Sequence, residues 1–276
     1  MLKKSIFTVL LACVATFVFS SCASTPKQES TAAPQVAPQQ VAPQPPKPVD
    51  FNCKFAEGGW NSADWKLVKS PRFPQRGGWV QEADHIRNRV PEGYAPKDIE
   101  AKDADAKLAA RKLLQGKLNP ETYCAMVMKD PVTGNLEFSA TMAFDYLMAP
   151  ELVIANDIGA AEDGYPEFRE HWEIVLFNEG VNVWHHEIKD GKPFWRKASF
   201  IRVPFEANKP YKVTGTIRFT AKCPDLTIVC SDPAKPDVPL AKFGCMLPTL
   251  SKTFSAGVIA CEGINMFYDF SAKSIK

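Results

Sequence analysis

From Phe51 to the C-terminus the chain is a succession of short apolar runs rich in Val, Ile, Phe, Thr, Tyr and Trp, separated by Gly, Pro, Asn and Asp. Side chains of that kind fit a pleated, half-buried surface, so the runs predict strands and an all-β fold. The predicted strands are Phe51–Phe55, Trp65–Val68, Trp79–Val90 with interruptions, Thr122–Met128, Leu136–Tyr146, Leu152–Ala155, Trp172–Phe177, Val181–Ile188, Phe194–Val203, Tyr211–Thr220, Leu226–Cys230 and Ala256–Phe270. One segment breaks the pattern. Lys97–Gln115 is rich in Ala, Lys, Leu and Asp, follows Pro96 and stops before Gly116, which predicts one helical insertion at about 97–115.

The stretch from Trp172 to Phe200 carries the most register information. Asn178-Glu179-Gly180 suits a three-residue hairpin loop with Gly180 left-handed, and Asp190-Gly191 suits a two-residue type I′ turn. Counting outward pairs Phe177 with Val181, Val175 with Val183 and Glu173 with His185, and sets His185 opposite Arg196, Val183 opposite Ala198 and Val181 opposite Phe200. One face is then apolar and ends in a Glu173/His185/Arg196 row. The other carries Trp172, His186 and Trp195 in one row, Ile174, Trp184 and Lys197 in the next, and Leu176, Asn182 and Ser199 in the third. Strands about 4.8 Å apart make a Trp/His/Trp row roughly 10 Å wide, the span of one or two sugar rings. Indole faces beside hydrogen-bonding groups suit a saccharide, so Trp172, Asn182, Trp184, His186, Trp195 and Lys197 form a candidate carbohydrate platform. The same Trp residues would equally serve as a second small core under loops or under the 97–115 helix.

The N-terminus changes the picture of location. Lys3 and Lys4 precede Ile6–Phe19, an apolar run of about 14 residues, short of the roughly 20 that span a bilayer and matching a secretory signal core. Ser20 and Ser21 lead to Cys22, and here the chain resembles a bacterial lipoprotein signal. That resemblance implies removal of residues 1–21, lipidation at Cys22 and, with Ala23 following, the outer membrane or cell surface. Residues 22–50 are a Pro- and Gln-rich tether without aromatic residues, and at about 3.1 Å per residue such a segment reaches roughly 85 Å. The folded domain is then 51–276. It is electrically balanced: of 33 Lys and Arg and 31 Asp and Glu, Lys3, Lys4, Lys27, Lys47, Glu29 and Asp50 fall outside it, leaving equal numbers. A neutral domain has no bulk attraction to nucleic acid, so the expected partners are a polysaccharide or oligosaccharide and, through the lipid, a membrane.

Six cysteines remain in the folded part, Cys53, Cys124, Cys223, Cys230, Cys245 and Cys261. Several sit inside apolar runs, so unpaired core thiols and disulfides are both open readings. No zinc-type spacing, HExxH, nucleophile elbow or phosphate loop is present.

The segments EIVLFNEGVNVWHH, NKPYKVTGTIRF with LTIVC (208–230) and FSAGVIACEGINMFYDFSA (254–272) resemble, in that order, the concanavalin A-like lectin and glucanase superfamily. The resemblance implies a jelly-roll β-sandwich, with the helical segment as an elaboration, and carbohydrate recognition. It also implies a possible structural calcium ion, with Asp269 in the "fyD" position as the candidate ligand and no other cofactor. Catalytic members carry an ExDxE-type carboxylate array, which is absent here and points away from an enzyme. A glycan hydrolase or lyase would have to draw acid/base groups from Glu173 or Glu187 and His186, and the counted register turns both glutamates away from the platform. A structural or adhesive envelope protein is the third reading.

Overall fold

A computed structural model of the chain describes residues 47–73, 76–92, 122–145 and 148–276. The signal segment, Cys22, most of the tether and the helix expected at 97–115 lie outside the described residues. In chain order the strands are β1 (Asp50–Lys54), β2 (Trp65–Val68), β3 (Trp79–Gln81), β4 (Ile86–Asn88), β5 (Cys124–Met128) and β6 (Val132–Thr133). The long strands follow: β7 (Leu136–Phe144), β8 (Met148–Ala160), β9 (Pro166–Phe177), β10 (Gly180–Lys189) and β11 (Lys192–Arg202). The last five are β12 (Tyr211–Phe219), β13 (Pro224–Ser231), β14 (Pro239–Met246), β15 (Thr253–Ala260) and β16 (Asn265–Ser274). Among the described residues no helix is long and apolar enough to cross a membrane.

The strands form two antiparallel sheets, one ordered β14-β13-β12-β7-β16-β4-β3 with β1 added on β16, the other β11-β10-β9-β8-β15-β5-β2 with β6 added on β15. Consecutive strands pair in β8–β11 and in β12–β14, whereas β7 with β12 and β16, and β15 with β5 and β8, join segments distant in sequence as the chain crosses between layers, and the result is the expected all-β jelly-roll sandwich. Between the sheets lies one large apolar core containing Phe138, Met142, Ile154, Trp172, Ile174, Leu176, Val183, Val213, Ile217 and Phe267. A smaller cluster, Val68, Tyr123, Ala125, Val127, Val153, Phe168 and Ile259, lies on the opposite face of the second sheet with Phe73 packed against it. The second sheet is thus covered on both sides over part of its area.

Two sequence expectations about strands need correction. Ala256–Phe270 is two strands, because Glu262 and Gly263 at φ 59° and 111° turn the chain between β15 and β16. The strand β14 was not expected, since its run starts at a proline and exposes Leu240 and Met246, a composition that suits a sheet edge and resembles a loop. All six cysteines of the folded part are free thiols. Cys53, Cys124, Cys230 and Cys261 are buried and behave as small apolar side chains.

The β9–β10 hairpin differs from the counted register by one residue. Phe177 faces Gly180, Val181 faces Leu176 and Trp184 faces Glu173, so the loop is the two residues Asn178 and Glu179. Gly180 is required for a different reason: a Cβ there would lie 2.0 Å from the Ile201 carbonyl oxygen of β11. Every β9 side chain therefore changes face relative to β10. The Asp190-Gly191 turn forms as expected, with φ of 51° and 74°. Next to it His186 faces Trp195, His185 faces Arg196 and Trp184 faces Lys197. A bulge between Val183 and Trp184 then shifts the rest, setting Val183 opposite Ser199 and Val181 opposite Ile201.

Candidate functional site: a cleft on the outer face of the second sheet

With the observed register, Trp172, Ile174 and Leu176 of β9 point into the core with Val181, Val183 and His185 of β10. His171, Glu173 and Val175 share the outer face with Asn182, Trp184 and His186. Trp172 thus leaves the platform. It is 0% exposed and stacks on the His185 ring at 4.0 Å inside the sandwich. His185 in turn pairs with Glu170 at 2.8 Å and not with Glu173, so the expected Glu173/His185/Arg196 row does not form. Glu173 moves the other way, into the face carrying Trp184 and His186. Glu187 keeps the alternation of His185. The register argument against an acid/base role therefore no longer holds for Glu173.

On this face a cleft of about 200 Å³ opens. Asn182, Trp184 and His186 from β10 and Trp195 from β11 form one side. Ala149 and Glu151 from β8 and Glu173 and Val175 from β9 form the floor, Cys261 and Glu262 the far end, and Arg72 the rim. Lys197 stays exposed beside it, its Nζ 5.7 Å from the Trp184 ring and 5.0 Å from Phe200. Trp195 is 48% exposed, whereas Trp184 is half-buried.

The electrostatics of the floor rest on one carboxylate. His171 Nε2 donates to Glu173 Oε1 at 2.9 Å and His186 Nε2 donates to Oε2 at 2.8 Å. The rings of Phe168, His171, His186 and Trp195 stack in sequence, with neighbouring centroids 4.3, 4.7 and 6.3 Å apart. Burial alone would favour the neutral Glu173 acid, but His186 and His171 reverse this and hold it well below the usual carboxylate range. Burial pushes His171 down to about 4, against the pull of Glu173, so this ring is neutral at pH 7. Glu151, 4% exposed, is driven well above the usual range by burial and then by the Glu173 charge, with Arg72 opposing. Burial works against the Arg72 charge too, and Glu173 and lesser acidic neighbours outweigh it. The Arg72 guanidinium lies 5.0 Å from the Phe73 ring and 5.5 Å from Trp195, which fixes it across the rim.

The shifts of His171 and Glu151 have opposite consequences for stability. The folded value of His171 lies below its ordinary 6.5, so between 4 and 6.5 the unfolded chain binds the extra proton and stability falls as pH falls. The folded value of Glu151 lies above its ordinary 4.5, so there the folded chain holds the extra proton and stability falls as pH rises. The two slopes offset each other in the wild type. Glu151→Gln removes the second, and its unfolding free energy should fall more steeply than that of the wild type as pH drops from 6.5 to 4.5. Urea titrations at the two pH values measure this, and parallel curves for the two proteins would contradict the assignment.

The His171, Glu173 and His186 ligand atoms lie within 4.8 Å of one another. The two imidazoles are stacked at 15°, however, so their in-plane lone pairs run side by side. A cation about 2.0–2.1 Å from one nitrogen would lie well off the plane of the other ring, and the trio as arranged is a hydrogen-bonded His–Glu–His cluster, not a metal centre. Asp269 does not fit a calcium ion either. Its carboxylate accepts from Thr141 N at 2.8 Å, Thr141 Oγ1 at 3.2 Å and Lys54 Nζ at 3.1 Å, and the neighbouring pocket adds Lys212, not a second acid.

The cleft thus joins Asn182, Trp184, His186 and Trp195, all named from the sequence, to Arg72, Glu151 and Glu173, which were not assigned to it. Glu151 left a signal, a lone acid inside the apolar run MAPELVIA, while Arg72 sits in a polar loop that offers none. No protein-family model matches the chain, and no curated protein matches it. Among solved structures, the carbohydrate-binding module CBM66 from Bacillus subtilis is similar at 8% identity and a TM-score of 0.46, over 76% of this chain and 96% of that one. A peanut lectin is similar at 10% identity and 0.48, over 84% and 100%. The exoplasmic/lumenal domain of VIP36, in a form bound to Ca2+ and Man3GlcNAc, is similar at 9% identity and 0.46, over 81% and 88%. These are likenesses in the outline of the sandwich, and none bears on the residues of the cleft.

Proposed function

We propose that the chain is a cell-envelope lipoprotein, anchored through Cys22, whose sandwich binds carbohydrate in the outer-face cleft. The observation that carries this reading is the pairing of two indoles, half-exposed Trp195 and half-buried Trp184, with buried polar groups in one opening. An apolar surface with a few convergent polar groups is the makeup of a small-ligand site. About 200 Å³ is below the roughly 300–1,000 Å³ typical for drug-sized ligands, which favours a single sugar unit at a time. Asn182 Oδ1 is buried without a hydrogen-bond partner, and a sugar hydroxyl donating to it would satisfy an acceptor that otherwise costs about 1–3 kcal/mol. The tether would hold the domain away from the membrane.

A glycan array probed with the full chain tests the reading. Retention of one or more glycans is expected, and Asn182→Ala should weaken it by about 1–2 kcal/mol. Failure to retain any glycan would overturn it. The address is tested separately: Cys22→Ala should release the protein from the membrane fraction, and continued membrane association would rule out lipidation there as the anchor.

A further inference from the structure

Resting on the carbohydrate reading, we infer that the sugar unit taken by this cleft carries a protonated amine, which docks between Glu151 and Asn182. Two residues that line the cleft carry a buried acceptor without a hydrogen-bond partner, Glu151 Oε2 and Asn182 Oδ1, on residues only 4% and 7% exposed. Unpaired buried acceptors in a ligand cleft call for a donor, and an ammonium group brings three. Three carboxyl groups, Glu151, Glu173 and Glu262, line the cleft against one guanidinium, Arg72. Arg72 is held across the Trp195 and Phe73 rings, and both Glu173 oxygens are taken by His171 and His186. Glu151 is left as the acid without a fixed partner on its Oε2. Burial and the Glu173 charge raise its pKa well above the usual range, so an ammonium docked against it favours the ionised carboxylate, any proton it holds leaving to solvent, and forms an ion pair in the cleft. A neutral sugar hydroxyl can fill one acceptor but brings no charge to ionise Glu151.

Calorimetric titration of the full chain with four hexasaccharides tests this: β-1,4-linked glucosamine, its fully N-acetylated form, cellohexaose and an oligogalacturonate. The glucosamine oligomer should bind at least tenfold more tightly than the other three. Glu151→Gln, which keeps the shape of the side chain, should lower that affinity at least tenfold and close the gap to the N-acetylated chain. Equal or tighter binding of the N-acetylated, neutral or uronate oligomer would overturn the amine assignment and leave the carbohydrate reading standing. An unchanged preference in Glu151→Gln would also overturn it. Binding of none of the four, together with an empty glycan array, would remove both.

Discussion

Trp172→Ala should lower the unfolding free energy by about 3–5 kcal/mol, the range for truncating a large, fully buried aromatic. Trp172 is 0% exposed, belongs to the core cluster that holds Ile154, Ile174, Val183 and Phe138 and stacks on His185 at 4.0 Å, so its removal opens a cavity in a close-packed interior between two sheets. Trp195→Ala, by contrast, truncates a residue that is 48% exposed on an outer strand and should stay within about 1 kcal/mol of the wild type. Chemical denaturation of both variants checks the pair. Near-equal losses would mean that the two indoles do not occupy opposite faces of the sheet as described.

Glu173→Ala should cost about 3–5 kcal/mol, as removing the shared partner of buried, hydrogen-bonded groups does. Glu173 is 3% exposed, and its removal strands His171 and His186, whose Nε2 atoms share it, and withdraws the charge that most favours the Arg72 cation. Glu173→Gln keeps the shape and one acceptor but not the charge, and should fall between. The ordering wild type, Gln, Ala by urea midpoint is the expected result. A loss below about 1 kcal/mol in Glu173→Ala would show that the carboxylate is not the centre of the cluster.

The strand pattern was legible because β-branched and aromatic runs punctuated by Gly, Pro and Asn leave few alternatives, and the jelly-roll sandwich followed from the resemblance of three segments in order to the concanavalin A-like superfamily. The β9 run WEIVLF was harder, since apolar side chains occur at both parities and alternation could not choose between registers. Only the backbone contact of Gly180 with Ile201 explains the glycine there, and that contact belongs to a strand 21 residues away. The one-residue slip exchanged Trp172 and Glu173 between faces, which is why the sequence reading gained an indole too many and lost its central acid. The β10–β11 pairing near Asp190-Gly191 was readable, because a type I′ turn sets register by itself. Glu151 and Arg72 belong to the cleft only through tertiary placement, which periodicity does not encode.

Glycan binding in the cleft between Trp195, Trp184 and Glu173 is tested most directly by paired calorimetry and thermal unfolding of wild type and Trp195→Ala with the glycan best retained on the array. At least a tenfold loss of affinity is expected for Trp195→Ala, with a melting temperature within about 4 °C of the wild type. Undiminished affinity in a folded Trp195→Ala would contradict glycan binding there.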